Sequence, residues 1–224
     1  MTNSMSNTRA MTTHKVVVAA MLCAISFVAT LIGQIVPPVA GFLSYDPKDA
    51  VIAIAGFIYG PMIAVLISVV ESVVEMLTMS STGIYGCFMN IVSTCAFVVP
   101  ATLLYKKMHN MQGALIGLLL GMIAMTACML LWNYIITPFY MGVPRETVAG
   151  MLTTVFLPFN LIKSGINTGL TLVLYKPLVT ALRKTNLLPK NDDSHGSFHL
   201  GFTVFSVLVL AGFILLFLVF TGVL

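Results

Sequence analysis

Apolar residues run through this chain in long blocks separated by short polar breaks, and the block lengths predict the elements. A helix needs roughly 20 apolar residues to cross a bilayer. By that measure residues 15–36, 62–79, 84–106, 112–138, 148–182 and 198–224 are long enough to span. Residues 49–59 are as apolar but short for a full crossing, and Gly60-Pro61 separates them from the next run. Residues 37–48, rich in proline and aromatics, read as a structured loop. The run 112–138 is expected to stop at Thr137-Pro138, because a proline removes one helical hydrogen bond. The run 148–182 is long enough to project beyond the bilayer. The pattern predicts an all-α integral membrane protein. A polar tail (1–14) precedes a six-helix membrane domain (15–182), a polar linker (183–197) and an additional hydrophobic helix (198–224). No internal repeat and no soluble domain is expected.

Composition agrees with this reading. Hydrophobic residues make up 58% of the 224 residues and charged residues only 8%, where a soluble domain carries roughly 25%. The first run is too long, and too poorly provided with a cleavage site, for a signal peptide. Leu22 also stands where a lipoprotein signal needs a small residue before Cys23. The four cysteines (Cys23, Cys87, Cys95, Cys128) are scattered in apolar runs without a C-x-x-C and read as small buried hydrophobes. His14, His109, His195 and His199 all fall outside the expected helix interiors, which argues against a metal or proton site built on histidine.

The net charge of +4 is a topology signal and needs no nucleic-acid partner; lipid is the surrounding medium. With the N-terminus inside, Arg9, Lys15, Lys106, Lys107, Lys176, Arg183, Lys184 and Lys190 fall on the cytoplasmic side. Lys48 and Arg145 fall outside, and Lys163 stays within the membrane. The C-terminus would then be outside.

The most informative stretch is Trp132-Asn133-Tyr134-Ile135-Ile136-Thr137-Pro138-Phe139-Tyr140. An amide and a hydroxyl at membrane depth must face other helices or a cavity, since lipid offers them no partner. A cavity lined by aromatics and uncharged hydrogen-bonding groups suits a flat ligand with polar edges. In the sixth segment Asn160, Lys163, Ser164, Asn167 and Thr171 share one helical face. That face is either a ligand-facing stripe or a helix–helix polar seam with Lys163 snorkelling outward. In the third, Ser68, Glu71, Ser72 and Glu75 share a face. Glu71 and Glu75 either share a proton or pair with Lys163, or else Glu75 lies hydrated near the outer end while Glu71 anchors a hydrogen-bond network. Ala20 and Ala24, one turn apart, allow another helix to approach closely. There is no G-x-x-x-x-G-K-[ST] loop and no buried Ser/His pair, so energy for transport must come from an ion gradient or a partner, and an enzymatic role lacks a nucleophile.

Three motifs in order carry a resemblance to a known family. They are Phe42-Leu43-Ser44-Tyr45-Asp46-Pro47-Lys48-Asp49 with Ile58-Tyr59-Gly60-Pro61, then Asn133-Tyr134-Ile135-Ile136-Thr137-Pro138-Phe139-Tyr140, then Phe159-Asn160-Leu161-Ile162-Lys163-Ser164-Gly165-Ile166-Asn167. Over roughly residues 12–185 the chain resembles the substrate-binding (S) component of an energy-coupling factor (ECF) transporter, in its riboflavin-binding branch. The resemblance implies a six-helix S-component bundle that takes riboflavin from outside, between the outer loop and helices four to six. It implies no enzymatic activity and no cofactor beyond riboflavin as transported ligand. The implied partners are a membrane coupling subunit and two ATPases, docked through Ala20 and Ala24, with the whole component toppling to carry the vitamin inward. The implied location is a bacterial cytoplasmic membrane.

Carried over by residue, Asn133, Lys163 and Asn167 become the expected hydrogen-bonding partners of riboflavin. Tyr45, Asp46, Glu71 and Tyr85 form a second tier, and Asn160, Leu43 and Thr137 complete the expected site. The run 198–224 departs from the six-helix pattern. An S component for another vitamin and a self-sufficient carrier coupled through Glu71, Glu75 or Lys163 are the alternative readings.

Overall fold

The computed structural model describes residues 2–79, 82–185, 187 and 200–223. Among these residues eight α-helices follow one another: α1 (Thr2–Gly33), α2 (Lys48–Tyr59), α3 (Pro61–Thr78), α4 (Gly83–Met108), α5 (Met111–Met141), α6 (Arg145–Met151), α7 (Leu157–Lys184) and α8 (Leu200–Phe220). A single π-helical turn, Leu152–Phe156, joins α6 to α7. Among the described residues six stretches are long and apolar enough to cross a membrane: Thr13–Gly33, Pro61–Thr78, Gly83–Met108, Met111–Met141, Arg145–Lys184 and Gly201–Phe220. The chain is an all-α, multi-pass membrane protein.

The exception among the core helices is α2. At about 1.5 Å per residue its 12 residues reach only a little over half of a roughly 30 Å hydrocarbon core. Every residue from Lys48 to Phe57 is buried, with α1, α3, α4 and α7 packed around the helix. Gly60, at φ +94°, ends it in a conformation that favours glycine, and Pro61 starts α3 where a missing N–H costs nothing. The α4–α5 pair packs backbone to backbone. A Cβ on Gly117 would lie 2.7 Å from the Ala101 carbonyl oxygen, so the small-residue pair Gly117 and Gly121 lets the two backbones touch.

Several boundaries differ from the sequence reading. α5 does not stop at Thr137-Pro138 but continues to Met141 and ends on Gly142 at φ +64°. Packing in the bundle sustains the helix past the one lost hydrogen bond. α1 begins at Thr2, so the stretch read as a polar tail continues the first helix, and His14 lies within it as an exposed residue. α7 extends the sixth segment to Lys184. Lys190, His195, His199 and most of the expected linker lie outside the described residues.

Candidate functional site

The site begins with the loop between α1 and α2. Gly33 closes α1 where the loop folds back: a Cβ there would lie 2.7 Å from both Pro47 Cδ and the Tyr45 carbonyl oxygen. Val39 and Leu43 exchange backbone hydrogen bonds of 2.8 and 3.0 Å across a turn at Ala40 and Gly41, which both have positive φ. The loop therefore dips into the end of the bundle. Because α2 is short, the charges at its start lie at depth and not at the surface.

Those charges form a buried ion cluster. Lys48, only 1% exposed, places Nζ 2.9 Å from Asp46 Oδ2 and 2.9 Å from Glu71 Oε2, and donates a hydrogen bond to Glu75 Oε2. Thr30 of α1 donates to Glu71 Oε1 at 2.8 Å, and Asn90 of α4 donates to Glu75 Oε2 at 2.9 Å. Asp49 is held separately: Thr94 donates to Oδ1 at 2.6 Å and Asn167 Nδ2 to Oδ2 at 3.3 Å. Asn167 also donates to the Asp46 carbonyl at 3.0 Å and accepts from the Tyr45 hydroxyl at 3.2 Å. Burial alone would push the Asp46 carboxyl up. The neighbouring Lys48, together with Lys163, outweighs it and holds the group below the ordinary carboxylate value. The Tyr45 hydroxyl is pushed up by burial and by Asp46 and Asp49, so it stays a neutral donor.

Over this cluster lies a cavity of about 380 Å³, within the range usual for small-molecule sites. It opens at the end of the bundle that holds the C-termini of α1, α3 and α5 and the N-terminus of α4. Loop residues Phe42, Leu43 and Tyr45 form one wall, with Asp46 beneath. α4 supplies Tyr85, Met89 and Asn90, α5 supplies Met129, Asn133 and Thr137, and α7 supplies Phe159, Asn160 and Lys163. Asn133 and Asn160 each donate to the carbonyl four residues back, to Met129 at 2.7 Å and to Phe156 at 2.8 Å. Thr137 donates to Asn133 Oδ1 at 2.9 Å, which fixes that amide's orientation. The Lys163 side chain makes no hydrogen bond or ion pair among the described residues.

The structure thus brings Leu43, Tyr45, Asp46, Tyr85, Asn133, Thr137, Asn160 and Lys163 to one cavity. Asn167 and Glu71 do not line it. Both are fully buried behind the wall, where Asn167 braces the loop and Glu71 serves the ion cluster. The partner of Glu71 and Glu75 is Lys48, so of the readings left open the pairing with Lys163 is not realised, while Glu71 does anchor a network with Thr30 and Lys48. Lys48, read as a charge outside the membrane, is inside the bundle. Glu75 is not idle, since it is bonded to both Lys48 and Asn90. Ala20 and Ala24 lie exposed on the outer face of α1. Trp132 is half-buried next to Asn133 and is not part of the cavity wall. Sequence reasoning missed Lys48, Thr30, Thr94 and Asn90. The available signal was the brevity of the 49–59 run, which cannot carry its leading charges to a surface.

Comparison with known proteins adds an independent line. A family model described as ECF transporter, substrate-specific component matches residues 14–175. The chain is 31% identical over 189 residues to the riboflavin transporter FmnP of Bacillus subtilis (strain 168), covering 79% of this chain and all of the relative. It is 26% identical to the riboflavin transporter RibU of Staphylococcus aureus (strain TCH60), over 76% of this chain and 93% of that protein. Among solved structures, the S component of a bacterial ECF transporter superposes with a TM-score of 0.65 at 27% identity, over 75% of this chain and 97% of the other.

Proposed function

The chain belongs to the substrate-specific components of ECF transporters, and from that premise we propose that it captures riboflavin from outside the cell and carries it inward when coupled to an energising module. The observation that carries the ligand is the cavity wall on which Asn133, Asn160 and Lys163 converge opposite Tyr45 and Leu43. The isoalloxazine ring enters between the aromatic and apolar side chains, and the oriented amides and the Lys163 ammonium meet its polar edge or the ribityl hydroxyls. Aligned hydrogen bonds contribute about 0.5–1.5 kcal/mol each, more when charged. With ring burial at about 25 cal/mol per Å², a handful of them reaches the roughly −12 kcal/mol of nanomolar binding.

Charge favours the neutral vitamin over its phosphorylated forms. Lys163 faces the cavity alone, whereas Asp46 and Glu75 line it with negative charge. Orientation follows from the basic residues. Lys106 and Lys107 end α4, Arg183 and Lys184 end α7, and all lie at the end of the bundle opposite the cavity. The positive-inside bias then directs the cavity outward and the N-terminus inward, in the bacterial cytoplasmic membrane. Docking to a coupling subunit, with two ATPases, is assigned to the exposed Ala20–Ala24 face of α1. The ion cluster argues against a self-sufficient carrier, because Glu71 and Glu75 are already tied to a fixed cation.

The test is a riboflavin titration of the purified protein in detergent, followed through the fluorescence of Trp132, the single tryptophan. Saturable quenching at nanomolar riboflavin, with no response to unrelated vitamins, is the expected result. Absence of quenching and of bound yellow colour would refute the ligand. Uptake in proteoliposomes driven by an ion gradient alone would refute the need for an energising module.

A further inference from the structure

The family match ends at residue 175, well before α8 begins at Leu200. α8 is nevertheless seated closely on the bundle. A Cβ on Gly169 of α7 would lie 2.9 Å from Leu210 Cα, and one on Gly165 would strike the Phe213 ring. The glycine pair thus brings α8 against the α7 backbone.

The face of α8 that meets those glycines carries on to the binding loop. Leu210, Phe213, Phe217 and Phe220 follow a helical spacing of three and four residues, so they form one stripe. The Phe217 ring packs on Tyr45, with centroids 5.9 Å apart and planes tilted by 52°. Phe220 packs against the cluster of Leu43, Val148, Phe156 and Phe159. Other residues of α8, such as Leu208, Leu215 and Val219, are exposed and face lipid. Tyr45 is therefore held at two points: its hydroxyl by Asn167 of α7 and its ring by Phe217 of α8. The same side chain lines the cavity.

We propose that Phe217 is a positioning residue for the ligand, holding Tyr45 and the adjoining loop closed on the cavity so that α8 sets how long the ligand stays bound. This rests on the riboflavin reading for the identity of the ligand, but not for the restraint on the loop. A loop already ordered in its bound geometry loses less freedom on binding, and changes of this kind are read mostly in the dissociation rate.

The test compares full-length wild type with Phe217→Ala, Phe217→Tyr and the lipid-facing control Leu215→Ala. Two readouts are taken: hydrogen exchange of the Phe42 and Leu43 amides without ligand, and riboflavin dissociation by stopped flow. Phe217→Ala is expected to exchange those amides faster and to release riboflavin at least fivefold faster, with association changed less than twofold. Phe217→Tyr restores both, and Leu215→Ala alters neither. Should Phe217→Ala fail to fold, Phe217→Leu keeps the apolar volume, removes the ring and is expected to shift both readouts in the same direction. In a Tyr45→Ala background, Phe217→Ala is expected to add nothing to the dissociation rate; additive effects would overturn the route through Tyr45. Unchanged loop exchange overturns the inference, as does faster exchange with unchanged dissociation. Wild type that binds no riboflavin removes the ligand reading, and the exchange result still decides whether α8 holds the loop.

Discussion

Lys48 Nζ lies 2.9 Å from Glu71 Oε2, with the lysine side chain 1% and the glutamate 0% exposed, at a depth where neither can reach water. The other lysine buried among the described residues, Lys163, faces the cavity and makes no ion pair among them. Two lysines in the same bundle thus stand in opposite settings, one tied into an ion cluster and the other facing the cavity, and the proposed function gives them opposite roles. Substituting each separates those roles. Lys48→Met leaves Asp46, Glu71 and Glu75 without their shared cation, and breaking a buried pair from one side costs about 3–5 kcal/mol. A large fall in the thermal unfolding midpoint in detergent is expected. Lys163→Met is expected to unfold close to wild type while binding riboflavin at least tenfold more weakly. Similar midpoints for Lys48→Met and wild type would show that the cluster does not hold the bundle together.

Asn133 is fully buried, and its amide is oriented by Thr137 on one side and by the Met129 carbonyl on the other. Asn133→Ala is expected to weaken riboflavin binding tenfold or more, which is about 1.4 kcal/mol, with the unfolding midpoint little changed. Thr137→Val removes only the donor that fixes the amide and should weaken binding by a smaller factor. Titration of Trp132 fluorescence reads both. Wild-type affinity in Asn133→Ala would remove this residue from the ligand's partners.

Lys48 also shows where sequence reasoning reached its limit. The helices were legible because each spanning run is long, apolar and punctuated by Gly60-Pro61 or a polar break. The cavity-lining asparagines were legible because amides at membrane depth demand a partner. The ion cluster was not, since Lys48 and Glu71 are far apart in sequence and a lysine beside a proline-rich loop reads as a surface charge. Only the folding of the loop back over Gly33 carries it inward. Asn167 shares a helical face with Asn160 and Lys163, yet spacing could not tell that it points at the loop backbone and not into the cavity. Pro138 misled in the opposite way: a proline is a reliable stop in water, but packing carries α5 past it.

Asp46 makes the site's pH response predictable. Its carboxyl is held below the ordinary value by Lys48 and Lys163, so its folded pKa is lower than its unfolded one. Such a group contributes stability above the unfolded value, about 3.9, and the contribution is lost as pH falls through the folded value. The Asp46 carboxyl itself is therefore expected to stay ionised, and to add no titration step of its own to stability, between pH 5 and pH 8. The acid limb of the unfolding curve, below about pH 4, should be shallower in Asp46→Asn than in wild type. Unfolding midpoints measured against pH for the two proteins check this, and acid limbs of equal steepness in both would contradict it.

The exposed small-residue pair on α1 yields the prediction that separates binding from transport. Ala20 and Ala24 sit on the outer face of α1, while among the residues of α1 the cavity is lined by Thr30, near its far end, with Gln34 just beyond. A bulky side chain on the outer face has no contact inside the bundle to disturb, but it keeps a partner helix from the close approach that two small residues allow. Ala20→Trp and Ala24→Trp are accordingly expected to bind riboflavin with affinity within twofold of wild type. Uptake into cells that supply the coupling subunit and ATPases should fall at least tenfold. Each variant adds a second tryptophan, so binding is best measured by quenching of riboflavin's own fluorescence or by calorimetry. Val28→Trp, on a neighbouring exposed position, tests whether the effect is confined to the alanine pair. Uptake unaffected by either alanine substitution would move the docking face elsewhere, whereas joint loss of binding and uptake would show that α1 itself is damaged.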